Sequence, residues 1–341
     1  MRKSLLALLL MACAGLANAD VQLKDGYPQR YTVVQGDTLW DISGKFLREP
    51  WQWPQIWHAN PQIANPDLIY PGDSLVLSYV NGQPQLMLER GGSRGTIKLS
   101  PHVRSTPVAD AIPSIPLQSI NAFLLSNRIL DSTEAFQQAP YIVAGQGERV
   151  VSGMGDRIYA RGTFDPAHAS YGIFRQGKVY TDPVTHEQLG VNADNMGGGE
   201  IVATEGDIAT LNLQRSSEEV RLGDRLFVSE ERPVNSTFLP SAPSRAISGT
   251  ILDVPRGVTQ IGKYDVVTLD RGSRDGLQEG NVLAIYKTGE TVRDRITGEQ
   301  VKIPDERAGL LMVFRTYQKL SYGLVLNANR SLAVMDKVQN P

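Results

Sequence analysis

The second half of this sequence is written twice. Ile173-Phe174-Arg175-Gln176-Gly177 corresponds to Ile285-Tyr286-Lys287-Thr288-Gly289, and Asp182 to Leu189 corresponds to Asp294 to Val301, both at an offset of 112 residues. Leu222-Gly223-Asp224-Arg225 falls opposite Val334-Met335-Asp336-Lys337 at the same offset of 112. Asp156 to Gly162 resembles Asp265 to Gly272, each stretch ending in Arg-Gly. Whatever the first copy folds into, the second must also satisfy. Two copies are too few, and each too long, for a solenoid, so two similar small domains are expected.

The pattern within each copy is that of β structure. Short β-branched runs recur, such as Tyr171 to Phe174, Glu200 to Ala203, Ile208 to Leu213 and Leu226 to Val228. Gly197-Gly198-Gly199 and Glu205-Gly206-Asp207 read as turns between them. Closing short antiparallel strands into a small barrel removes exposed edges, so an SH3-like barrel is expected for each copy. The first β repeat is placed at 135–228 and the second at 245–341. The proline- and serine-rich stretch 229–244 is read as a linker between them. Residues 81–134, marked by Pro101, Pro107, Pro113 and Pro116, are read as a connecting segment, with a helix over Gln118 to Leu130.

A different signal occupies residues 30–80. Tyr31 to Val34 is β-rich, and Gly36-Asp37 ends it. Thr38 and Asp41 stand at capping spacing before an apolar stripe of Leu39, Ile42 and Phe46, which predicts a helix. Pro50 breaks that helix, and Pro54 opens a second one carrying Ile56 and Trp57. Asn60-Pro61 closes it, Asn65-Pro66-Asp67 and Tyr70-Pro71-Gly72-Asp73 make turns, and Ser74 to Tyr79 forms a second strand. The expected class is therefore α+β multidomain, a β-α-α-β module followed by a mainly-β region.

Residues 1–19 have the form of a secretory signal: Arg2 and Lys3, the apolar run Leu5 to Met11, then Ala17-Asn18-Ala19. The mature chain is then expected to start at Asp20 in the periplasm. Cys13, the one cysteine, lies inside the signal; a second reading makes Leu10-Met11-Ala12-Cys13 a lipoprotein processing site. Formal net charge is −2, and −4 without Arg2 and Lys3. So slight an acidity, with charges scattered, argues against nucleic acid as a partner.

The N-terminal residues resemble a LysM module. The match runs through Tyr31-x-Val33-x-x-Gly36-Asp37-Thr38-Leu39-x-x-Ile42, Phe46, Trp53-x-x-Ile56, Asn60-Pro61 and Ile69-Tyr70-Pro71-Gly72-Asp73-x-Leu75-x-Leu77. Asp73 stands where Gln is more usual, and the segment between the helices is lengthened and holds Trp51, Trp53 and Trp57. The resemblance implies binding of N-acetylglucosamine-containing glycans, peptidoglycan among them. It places a shallow groove between Gly36-Asp37-Thr38-Leu39 and Asn65-Pro66-Asp67-Leu68-Ile69. Backbone groups near Gly36 and Asn65 would pair with the N-acetyl amide, and Leu39 and Ile69 would receive the methyl and the sugar face.

Catalysis finds little support in the residues. Thiol peptidases need a thiolate, and none would remain after cleavage of the signal. His58, His102, His168 and His186 are scattered without metal-ligand spacing, so no metal and no cofactor are expected. His186 aligns with Gly298, which suits a turn more than a ligand. The order of LysM, proline-marked connector and FlgT-like C-terminal region resembles the TsaP family of type IV pilus secretin-associated proteins. That resemblance implies a non-catalytic tether between peptidoglycan and an outer-membrane secretin ring, present in multiple copies.

Overall fold

The computed structural model describes residues 21–57, 69–89, 112–117, 120–121, 123, 127–147, 149–229, 238–255 and 260–341. The signal, the 65–68 part of the groove and most of the connecting segment lie outside the described residues. The chain forms two compact units, Met1–Ile112 and Pro113–Pro341.

In the first unit, strand β1 (Arg30–Thr32) pairs antiparallel with β2 (Ser74–Val80), and β2 with β3 (Gln83–Glu89). Helix α1 (Leu39–Phe46) starts where the spacing predicts: the Asp41 amide donates to Thr38 Oγ1 at 3.1 Å, and that hydroxyl donates to the Asp41 carboxylate at 2.7 Å. Leu39, Ile42 and Phe46 face the core. A single 3₁₀ turn, Pro50–Gln52, leads into α2 (Trp53–Trp57). Trp53 and Trp57 meet edge to face at 6.4 Å and are buried, so the lengthened segment enlarges the core. β3 falls inside the stretch read as connector: it completes the sheet by covering β2, and Leu86 and Ile112 both join the core. A two-stranded ribbon of this size could not bury that many large side chains, which is why the third strand is needed.

The second unit holds the repeats. The first copy comprises β4 (Asn127–Leu130), helix α3 (Thr133–Gln138), β5 (Tyr141–Gly145), β6 (Val151–Ser152), β7 (Arg157–Arg161), β8 (Ser170–Thr181), β9 (Gln188–Glu205), β10 (Ile208–Ser216), β11 (Val220–Arg221) and β12 (Arg225–Val228). The second comprises β13 (Ser248–Asp253), β14 (Val266–Leu269), β15 (Val282–Lys287), β16 (Thr291–Arg293), β17 (Gln300–Lys302), β18 (Glu306–Thr316), β19 (Ser321–Ala328) and β20 (Lys337–Gln339). In the second copy β13-β14-β19-β18-β15-β20 close a barrel. In the first, the order β5-β7-β10-β9-β8-β12 closes likewise through the β9–β10 and β12–β5 pairings. Replacing each strand by its repeat partner converts one ring into the other. Each is a small antiparallel barrel of six strands.

The turn chemistry is repeated as well. Asp224 closes Arg221–Asp224 by accepting the Arg221 amide at 2.8 Å, and Asp336 accepts the Ala333 amide at 2.8 Å. Gly223 has φ +86° and Met335 φ +73°, so one copy uses glycine and the other a strained side chain for the same bend. His186 and Gly298 likewise share positive φ, +59° and +79°, in equivalent turns.

Three further expectations change. Gly197-Gly198-Gly199 is no turn: it lies within β9, paired with β8 on one side and β10 on the other. A Cβ on Gly197 would come within 2.5 Å of the Arg215 carbonyl, so these glycines permit a close approach of backbones where the strand bends. Gly309, 112 residues on, stands equally tight against Asn327. Asn127–Leu130, read as the end of a helix, is a strand whose backbone bonds are taken up by β9. Finally, part of 229–244 is packed rather than free: Phe238 is buried, its amide donates to Ser114 Oγ at 3.2 Å, and Ser241 bridges to Asn281.

Candidate functional site

Two bends of like construction meet at one end of the first unit. In Val34–Asp37 the Asp37 amide bonds the Val34 carbonyl at 3.2 Å, and Asp37 Oδ2 accepts the Val34 amide at 2.9 Å. In Tyr70–Asp73 the Asp73 amide bonds the Tyr70 carbonyl at 3.0 Å, and Asp73 Oδ2 accepts the Tyr70 amide at 3.1 Å. Gly36 and Gly72 take φ of +92° and +98°, which the bends require. Reciprocal bonds lock them together: Val33 donates to Asp73 at 2.8 Å and Gly72 to Val33 at 2.8 Å.

The side chains in this region are mostly committed. Asp37 Oδ2 also accepts the Tyr31 hydroxyl at 2.8 Å; burial first, then this carboxylate, pushes the Tyr31 phenol up to about 12. The Lys45 ammonium lies 4.8 Å from the centre of the Tyr31 ring. Thr38 is spent on the helix cap. Leu39 and Ile69 are 2% and 0% exposed, so neither can receive a methyl group or a sugar face. Their apolar side chains have greater stabilising use in the core, where they meet Trp53 and Leu75. The carbonyl of Ile69 is also taken, by the Ile112 amide at 2.9 Å.

What remains at the surface is backbone together with the exposed Val34 and Gln35 side chains. Gly36 is exposed, and the first amides of α1 have no carbonyl within the helix to bond. Such fixed, uncharged donors suit the amide and hydroxyl groups of a neutral glycan. Of the expected set, Gly36, Asp37, Thr38 and Leu39 are brought together on one bend and Ile69 lies under it. Asn65, Pro66, Asp67 and Leu68 lie outside the described residues. The Tyr31–Asp37 bond and the Lys45 cation over it were missed by sequence reading; the one available signal was the conjunction of Tyr31 and Asp37 flanking the same bend.

Comparison with known proteins bears on this module. Residues 31–78 match the family model described as LysM domain, a binding module that supports peptidoglycan binding. A stretch of 33 residues is 52% identical to Uncharacterized protein YqbP of Bacillus subtilis (strain 168), covering 10% of this chain and 15% of that protein. The likeness thus spans a small part of either molecule. Among the described residues no group of three His, Cys, Asp or Glu side chains could hold a metal ion, and no helix is long and apolar enough to cross a membrane.

Proposed function

We propose that the chain is a non-catalytic anchor of the periplasm, exported by its N-terminal signal, that tethers an outer-membrane secretin of the type IV pilus machinery to peptidoglycan. The LysM module supplies the wall contact. The glycan lies along the bend Gly36 to Leu39 and the loop 65–69, held by main-chain groups, with Leu39 and Ile69 acting from the core as supports. The two barrels, taken here as tandem SH3-like copies, hold the cargo. One observation carries the reading: a compact binding module is joined to a separate, larger β unit with a core of its own. A shallow backbone-lined groove binds weakly by itself, and a ring of secretin subunits would present many such modules at once.

Two pull-downs test the proposal. Purified sacculi should retain the chain and lose it when Tyr31 to Tyr79 is deleted; retention after deletion would end the wall-binding assignment. The secretin should co-purify with the 113–341 unit after crosslinking in cells. Recovery of a different outer-membrane ring complex instead would replace the cargo while leaving the anchor. Release of muropeptides by the pure chain would refute the non-catalytic reading.

A further inference from the structure

The two barrels differ at one place in how a cation is matched. In both, the last strand begins with one, Lys337 in the second copy and Arg225 in the first, at the offset of 112. The Lys337 ammonium donates to the Asp305 carboxylate. Arg175 stands opposite Asp194 across β8 and β9, as Lys287 stands opposite Glu306 across β15 and β18. The counterpart of Asp305 is therefore Ala193. Ala193 has no carboxylate to offer, and it is buried in one cluster with Phe136 of α3 and Phe174.

Among the described residues Arg225 is left with neutral partners. Its Nη1 donates to the Ala139 carbonyl at 2.9 Å, and its guanidinium lies 4.9 Å from the centre of the Tyr141 ring. A guanidinium carries five N–H donors, so most of them remain for other groups. The neighbouring arginines are already matched. Asp224 takes Arg175 at 2.9 and 2.8 Å, and Glu219 lies 3.3 Å from Arg221. The cation without a carboxylate is Arg225 alone.

Arg225 lines an open cleft of about 670 Å³, walled by α3 and by the Arg221–Asp224 turn. That volume lies within the range of ligand sites, about 300–1,000 Å³. Part of the wall is apolar. Leu222 projects from the turn at 45% exposure, and Val151, opposite Arg221 in the β6–β11 pair, is 43% exposed. A cation lacking a counter-ion, beside displayed aliphatic groups, suits a ligand that brings both a carboxylate and an apolar side chain. We propose that the cleft binds an acidic, aliphatic-containing segment of a partner protein, whose carboxylate meets Arg225 as Asp305 meets Lys337. The second barrel supplies this carboxylate from its own chain, and the first takes it from outside. The inference rests on neither the wall-binding nor the secretin reading.

Titration of the full chain with the end-capped peptide leucyl-aspartyl-leucine tests it, read by NMR at the Arg225 Nε–H and Leu222 methyl resonances. Both should shift saturably. The same peptide with asparagine for aspartate should bind about tenfold more weakly, because hydrogen bonds to a charged acceptor are the stronger. Arg225→Gln should abolish the shift at Leu222. Since Arg225 also holds the Ala139 carbonyl, a second variant guards against loss of folding. Gln137→Glu combined with Leu222→Asn changes two exposed residues of the cleft, supplying a competing carboxylate and removing the aliphatic contact. That chain should lose binding with its thermal unfolding midpoint unchanged. Absence of saturable shifts in the wild-type chain, or equal binding of the two peptides, would overturn the proposal. So would wild-type affinity in either variant.

Discussion

Asp224 offers the sharpest test of what holds the first barrel closed. Its buried carboxylate accepts the Arg221 amide at 2.8 Å and the Arg175 guanidinium at 2.9 and 2.8 Å. Asp224→Ala would leave the amide and the guanidinium without that partner. Breaking a buried pair costs about 3–5 kcal/mol, and the part-exposed guanidinium can rehydrate, so the low end of about 3 kcal/mol applies. The repeat supplies an internal control. Asp336 accepts the Ala333 amide and the Lys287 ammonium, at 3.0 and 3.1 Å, and a flexible ammonium recovers its hydration more readily, so Asp336→Ala should cost about 2 kcal/mol. Urea unfolding followed by far-ultraviolet circular dichroism measures both. At a slope of about 3 kcal/mol/M, the Asp224→Ala midpoint should fall by roughly 1 M. Every tryptophan (Trp40, Trp51, Trp53 and Trp57) is in the first unit, so the fluorescence transition should stay in place. A dichroism shift below about 0.3 M by the same slope would refute the reasoning.

Further outcomes follow from individual contacts. Met335→Gly relieves a left-handed residue worth about 1–2 kcal/mol, offset by about 0.5–1 kcal/mol of glycine entropy; the melting temperature should rise by a few degrees, and a fall would be contrary. Glu187 is held at about 2, below its ordinary 4.5, by Arg274 and then Lys319. Its folded value is the depressed one, so its contribution is complete above about pH 4.5 and lost as pH falls through about 2. Glu187→Gln should therefore be less stable than wild type at neutral pH, with the difference vanishing in that acid window; a difference independent of pH would contradict the ion-pair account. Thr38→Ala should destabilise the first unit by about 1 kcal/mol in urea titrations read by tryptophan fluorescence. Trp53→Ala, which empties the centre of the same core, should cost about 3–5 kcal/mol and abolish retention on sacculi; a variant that binds normally would show that the core is not needed to shape the groove.

Signals that act over a few residues are legible in the sequence alone. The Thr38–Asp41 cap, the stripe of Leu39, Ile42 and Phe46, and the break at Pro50 are set by local backbone chemistry, and α1 follows them. That stripe also carried the correct account of Leu39: a residue counted into the buried face of a helix has no second face to offer a sugar. Ile69 gave no such warning, because it is buried in a core shared with Phe46, Leu86 and Ile112, which come from distant parts of the chain. The Gly197–Gly199 run misled for a related reason, since glycine marks a turn and a close approach of two backbones alike, and only the pairing with Asn212–Arg215 decides between them.

The repeat is what the sequence determined by itself. An offset of 112 residues commits both copies to one set of turns and one strand order, because the same local preferences and the same alternation must close the same ring. Tertiary structure alone decided how the copies differ in use. Tyr180, Leu189 and Val191 are no more apolar in kind than Val292, Val301 and Ile303, yet one set is buried and the other displayed. A side chain's hydrophobicity is written at its own position, whereas the surface that covers it comes from residues far away in the chain.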